Sequence, residues 1–218
     1  MKINHILKYT LIVFVFNLGF SQNNKKESHY VLPDFVEGRI LMKDGTELTR
    51  ALNYNSLSEN FTFKDDGKIL AMSESDISRI DTIYVANRKF FRKDNVFLEL
   101  LKTSSTPLYL EHKCNLESST AASGGYGGTS QTTSGRTVSS IENRGNFYEI
   151  DLPEIYKIKP YKQYWIIKEG TTTIFKTLGQ LKKLYQDKKK QIKIYRKTNK
   201  VDVKTPSSVV KLIEHLEA

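Results

Sequence analysis

Between Val36 and Cys114 apolar residues recur at alternate positions in short runs, and polar turn residues interrupt them again and again. A period of two buries one face of an extended strand, so this stretch is committed to antiparallel β-structure. Val36, Gly38, Ile40 and Met42 alternate with Glu37, Arg39 and Lys43, and Asp44-Gly45 then supplies the positive φ of a tight hairpin. Leu48, Leu52 and Tyr54 continue on the returning strand. A second hairpin has Phe61 and Phe63 before Asp66-Gly67, with Ile69, Leu70 and Met72 after it. Ser73 to Asp76 reads as a loop or one helical turn. Ile77, Ile80, Ile83 and Val85 form the next run, followed by Val96, Leu98 and Leu100, and then by Leu108, Leu110 and His112.

Residues 118–140 break the rhythm, because Ser, Thr and Gly dominate and almost nothing apolar is available to bury. This reads as a disordered insertion. Its paired glycines do not make a phosphate loop, since neither an apolar strand before them nor a helix with a P-loop lysine after them is present. Strands resume at Phe147, Tyr148 and Ile150, at Tyr156 and Ile158, and at Tyr164 to Ile167. The period then lengthens to that of a helix. Leu178, Leu181, Leu184 and Tyr185 share one face, and Val209, Leu212, Ile213 and Leu216 follow i, i+3, i+4, i+7 behind Thr205 as N-cap and Pro206 at the first helical position. Between them, residues 187–199 read as a third helix, because a lysine-rich run favours helix over strand. The expected fold is α+β: an antiparallel β-barrel or sandwich domain over 35–168, followed by a small three-helix C-terminal subdomain over 171–218. A flexible segment over 22–34 precedes them.

The first residues carry Lys2 and Lys8 and no acid, then an apolar run from Leu11 to Phe16, then small residues at Gly19 and Ser21. This is the pattern of a signal peptide over residues 1–21, cut after Ser21, and it places the mature chain in the periplasm or outside the cell. The apolar run is shorter than the roughly 20 residues a membrane span needs. Cys114 is the one cysteine, so an internal disulfide is excluded and stability must come from packing.

The DGT hairpin at Asp44 to Thr46 is similar to those of small SH3-like or Sm-like barrels, which host many roles. Over most of the mature chain, FVEGRILMKDGTELTRALNY near the start and LGQLKKLYQDKKKQIKIYRKTNKVDVKTPSSVVKLIEHLEA at the end resemble a group of uncharacterised exported proteins of Gram-negative bacteria. In these a β-rich body precedes a short bundle of basic helices. The resemblance implies that architecture and carries no activity, ligand or catalytic residue with it.

Catalysis by general acid, base or nucleophile needs titratable groups that converge. His29 lies ahead of the first strand, and His215 lies near the end of the last helix, where the helix dipole favours it. His112 and Cys114 are two apart on a strand and so share a face, which would set a thiol beside an imidazole. Leu108 and Leu110 share that face too, so a buried thiol and a satisfied histidine account for the pattern equally well. Asp65-Asp66 and Glu74 with Asp76 fall in expected turns, where Asp is favoured for backbone reasons. No catalytic residue, cofactor or metal site is expected.

Charge is the one compositional feature that points to a partner. Residues 22–155 hold 16 Lys and Arg against 19 Asp and Glu, whereas residues 156–204 hold 15 against 3. Lys182 and Lys183 lie on the first expected helix. Lys188, Lys189, Lys190, Lys193, Arg196 and Lys197 lie on the second. Such density attracts phosphate-bearing surfaces, although lysine is also the ordinary coat of an exposed helix. The expectation is therefore an exported, non-catalytic binding or scaffolding module of the cell envelope. Its partner would be another envelope protein or, through these eight cations, an anionic envelope surface. Nucleic acid is disfavoured by the compartment.

Overall fold

A computed structural model describes residues 28–118 and 156–218. The leader, the insertion beyond Ser118 and the expected strand at Phe147 to Ile150 lie outside these described residues. Among the described residues, ten strands form one antiparallel sheet. They are β1 (Val36–Met42), β2 (Glu47–Asn55), β3 (Asn60–Asp65), β4 (Lys68–Ala71), β5 (Ile80–Val85), β6 (Arg88–Lys93), β7 (Val96–Lys102), β8 (Leu108–Ser118), β9 (Tyr156–Lys168) and β10 (Thr171–Phe175). The order across the sheet is β10-β9-β8-β7-β6-β5-β1-β2-β3-β4. Two meanders, β1 to β4 and β5 to β10, are thus joined where β1 pairs with β5.

The turn that makes this join is α1 (Glu74–Arg79), which carries the chain from β4 back to β1. Ser73 caps it by accepting from the Asp76 amide, and Ile77 is its buried residue. Alternation alone assigns Ile77 to the next strand. The cap instead holds it in helix, and the strand begins at Ile80.

Hairpins turn on paired residues in the left-handed region: Asp66-Gly67 as expected, and also Ala86-Asn87, Asp94-Asn95 and Glu169-Gly170. The Ala86-Asn87 and Asp94-Asn95 turns bound β6, whose sequence RKFFRK has two apolar residues and shows no alternation to read. The two strands expected at Tyr156 and Tyr164 are a single β9 that runs through Pro160. Proline is tolerated there because β10 reaches only to Tyr164, leaving one flank of β9 without a strand among the described residues.

The expected barrel is not closed, nor do the strands divide into two sheets. The sheet curls far enough to bring Lys113 on β8 into an ion pair of 2.6 Å with Glu59 at the β2–β3 turn. No strand pairing seals the roll among the described residues. Gly38 lies on β1, where a Cβ would sit 2.8 Å from Leu52 Cδ1 and 2.9 Å from the Tyr84 carbonyl oxygen. Gly38→Ala is therefore expected to destabilise by about 1–3 kcal/mol through overpacking, read as a lower urea midpoint. An unchanged midpoint would show that Leu52 and the backbone can yield.

The sheet stays open because its two halves face different cores. Leu52, Tyr54, Phe61, Ile83, Phe90 and Phe97 fill the rolled half. Beyond β7 the strands instead carry a helical layer of α2 (Leu178–Leu184), α3 (Lys189–Thr198) and α4 (Pro206–Glu217). There Leu110, Tyr164 and Phe175 pack with Leu181, Ile192 and Leu212. A capping box between Thr177 and Gln180 starts α2. Glu217 ties the end of α4 to β7 through Lys102 and also accepts from the Tyr185 hydroxyl at 2.9 Å.

Candidate functional site

The register places Phe90, Glu99, Leu110 and Tyr164 side by side across β6 to β9, so a carboxylate sits in an otherwise apolar row. His112, two residues after Leu110 on the same face, answers it. Its Nε2 lies 2.6 Å from Glu99 Oε2, and Arg88 Nε lies 3.7 Å from Glu99 Oε1. Glu99 is 8 % exposed and His112 7 %. Burial pushes the His112 pKa down, and although the bond to Glu99 opposes this, Arg88 and Lys162 reinforce it. The neutral imidazole therefore donates Nε2–H to the carboxylate, which can only accept. Cys114 Sγ donates to the Asn115 carbonyl at 3.4 Å, and His112 turns Nε2 to Glu99 rather than to a thiol.

A histidine held neutral makes stability depend on pH. The unfolded chain takes up a proton below the ordinary value of 6.5 while the folded His112 resists it, so the contribution is complete above pH 6.5. It is lost as pH falls from there towards the lowered native value. The thermal midpoint is expected to drop as pH falls below 6.5, and the slope to shrink in His112→Gln. Burial shifts His29 in the same direction, so a residual slope persists. An identical slope in the variant would remove His112 from the account.

On the neighbouring row Glu111 is buried at 2 % exposure. It accepts from Trp165 Nε1 at 2.7 Å, Gln163 Nε2 at 2.8 Å and Lys113 Nζ at 3.0 Å. Burial pulls the Lys113 pKa down, but its hydrogen bonds to Glu59 and Glu111 outweigh that and hold it above the ordinary lysine value.

A cavity of about 560 Å³ opens beside these two networks. Residues of the strand pair β8–β9, of the segment Ser28 to Val31 and of the turn at Val203 and Lys204 line it. Five cations line it: Arg88, Lys113, Lys162, Lys176 and Lys204. Arg88 and Lys113 are ion-paired, whereas no ion pair among the described residues uses the other three. Lys162 Nζ donates to the Lys204 carbonyl at 2.6 Å, and Lys176 Nζ lies 4.7 Å from the centre of the Tyr161 ring. Burial, and then repulsion from Arg88, depress the Lys162 pKa in spite of Glu99 and Asp202. A wider depression of about 730 Å³ around Phe91 and Tyr109 sets Asp81 and Asp94 among its lysines, so charge there is mixed.

None of the eight helix cations lines the 560 Å³ cavity. Lys183, Lys189, Lys190, Lys193, Arg196 and Lys197 are exposed on α2 and α3, while Lys182 and Lys188 are half-buried. Lys188 Nζ is hydrogen-bonded to the Leu216 carbonyl at the end of α4. The cavity cations come from distant segments with no spacing in common: Lys162, Lys176 and Lys204 fall within the basic stretch 156–204, Arg88 and Lys113 do not, and a charge count along the chain does not group them. Among the described residues no group of three or more His, Cys, Asp or Glu side chains is placed to hold a metal ion, and no helix is long and apolar enough to cross a membrane.

The fold and the site define a mostly antiparallel, open-sheet protein with a few helices and a basic cavity between its two cores. Compared with protein-family models, curated proteins and solved structures, the chain matches none.

Proposed function

We propose that the chain is an exported, non-catalytic binding or scaffolding module of the bacterial cell envelope, its β-rich body carrying a three-helix basic subdomain. The observation that supports this best is the use made of the buried titratable groups. His112 is hydrogen-bonded to Glu99, and Glu111 is engaged by three donors. Groups so occupied hold a scaffold together rather than wait for a reacting atom. Crosslinking in intact cells, followed by affinity capture from envelope fractions, tests the reading. One or a few envelope components should be enriched over a mock capture, and a clean absence of partners would overturn it.

A second reading, adhesion to an anionic envelope surface through α2 and α3, is favoured by Ile194. It is 64 % exposed on α3, with Lys190, Lys193 and Lys197 near it along the helix. An apolar side chain amid cations suits a helix lying on charged lipid. The protein should sediment with phosphatidylglycerol vesicles at low salt and be released as salt rises. Failure to sediment at low salt would end this reading.

A further inference from the structure

We infer that the cavity lined by Arg88, Lys162, Lys176 and Lys204 is a binding site for a phosphate monoester, separate from the cationic face of α2 and α3. These four cations reach it from the first residue of β6, from β9, from the residue after β10 and from the turn before α4. Nothing local brings them together; only the fold does. Like charges gathered in one recess repel and weaken the folded state, and Lys162 registers that repulsion from Arg88. The fold does not need the cluster for its own ion pairs, since Lys162, Lys176 and Lys204 make none among the described residues.

The chemistry of the occupant follows from the charge it must meet. Glu99 is already shared by His112 and Arg88, and Lys113 is held by Glu59 and Glu111. Three ammonium groups remain for the ligand. A carboxylate or a phosphodiester brings one negative charge and leaves most of that excess in place. A phosphate monoester brings close to two at neutral pH, with three oxygens to accept from separate donors. Lys162 is pre-aimed, because its bond to the Lys204 carbonyl fixes where its other protons point. The volume of about 560 Å³ exceeds a bare phosphate and lies in the range of small-molecule sites, with Tyr161 supplying an aromatic wall for the group esterified to it.

Such a group reaches an envelope protein either as a soluble ester or as a lipid headgroup, and the experiment has an arm for each. The full chain without its leader is titrated calorimetrically with glycerol 3-phosphate, with sodium acetate as the monoanionic control. It is also sedimented with vesicles containing phosphatidic acid or phosphatidylglycerol. Glycerol 3-phosphate is expected to bind saturably, and Lys176→Gln/Lys204→Gln to weaken it by at least about tenfold. Both lysines are exposed, so the variant should keep the parent's thermal midpoint. Lys183→Gln/Lys190→Gln/Lys193→Gln on the helices should leave this binding within about twofold, even where it abolishes vesicle binding, which separates this site from the helix face. Preference for phosphatidic acid, competed by glycerol 3-phosphate, would support the site with a lipid as its source. Binding of the soluble ester without sedimentation would support it with a soluble one. No binding at millimolar concentration, equal binding of acetate, or loss in the helix variant with retention in Lys176→Gln/Lys204→Gln would overturn it.

Discussion

Removing the Glu111 carboxylate, as in Glu111→Ala, is expected to lower the unfolding free energy by about 3–5 kcal/mol, among the largest losses open to a single substitution here. The loss is not the worth of one bond. Glu111 is 2 % exposed, and its absence leaves the buried Trp165 indole N–H and the Gln163 amide without their acceptor and takes from the Lys113 ammonium one of its two carboxylates. Lys113 also joins β8 to the β2–β3 turn through Glu59, so the roll of the sheet is weakened with it. Glu111→Gln keeps the shape but sets an NH₂ among donors, and it should lose less than the alanine variant. Urea denaturation of the three proteins reads the order directly. An alanine variant within about 1 kcal/mol of the parent would mean that water replaces the carboxylate at little cost.

Phe61→Ala should be of similar size, about 3–5 kcal/mol, for the opposite reason: nothing polar is stranded, but a cavity opens. The Phe61 side chain is fully buried, and its ring centre lies 5.1 Å from those of Tyr54, Phe90 and Phe97. These rings come from β2, β6 and β7, so Phe61 is where the rolled half of the sheet closes on itself. Phe61→Leu, which retains most of the apolar volume, should lose clearly less. Leu212 belongs to the other core, so combining Phe61→Ala with Leu212→Ala tests how separate the two are. Additivity within about 0.5 kcal/mol is expected, and a larger discrepancy would show that the cores act as one.

Much of the local structure is legible in the residues. Asp44-Gly45 and Asp66-Gly67 do turn their hairpins, with φ of 86° at Gly45 and of 45° and 76° at the second pair. Val209, Leu212, Ile213 and Leu216 are the buried face of α4. Where the reading fails, a local competitor is responsible. Ser73 draws Ile77 into α1, β6 has too few apolar residues to alternate, and Ala86 adopts a left-handed φ that its side chain does not announce. Thr171 to Phe175 carries strand-forming threonines and pairs with β9 as β10. The cavity was less legible than the fold. Arg88, Lys162, Lys176 and Lys204 look like ordinary surface cations in a basic chain, and Glu99 and Glu111 look like outward-facing strand residues until their partners are known.

By itself, the order of residues determined the antiparallel character, two of the hairpins, the apolar stripe of the last helix and the crowding of positive charge after Tyr156. Each depends on neighbours two to four positions apart, and a chain shows these directly. Only the tertiary structure decided that β1 takes β5 as its second partner, that the sheet stays open to carry a second core, and that four scattered cations share one recess. Those outcomes depend on which distant surfaces bury one another most completely, a comparison between whole packings that no short window of sequence contains.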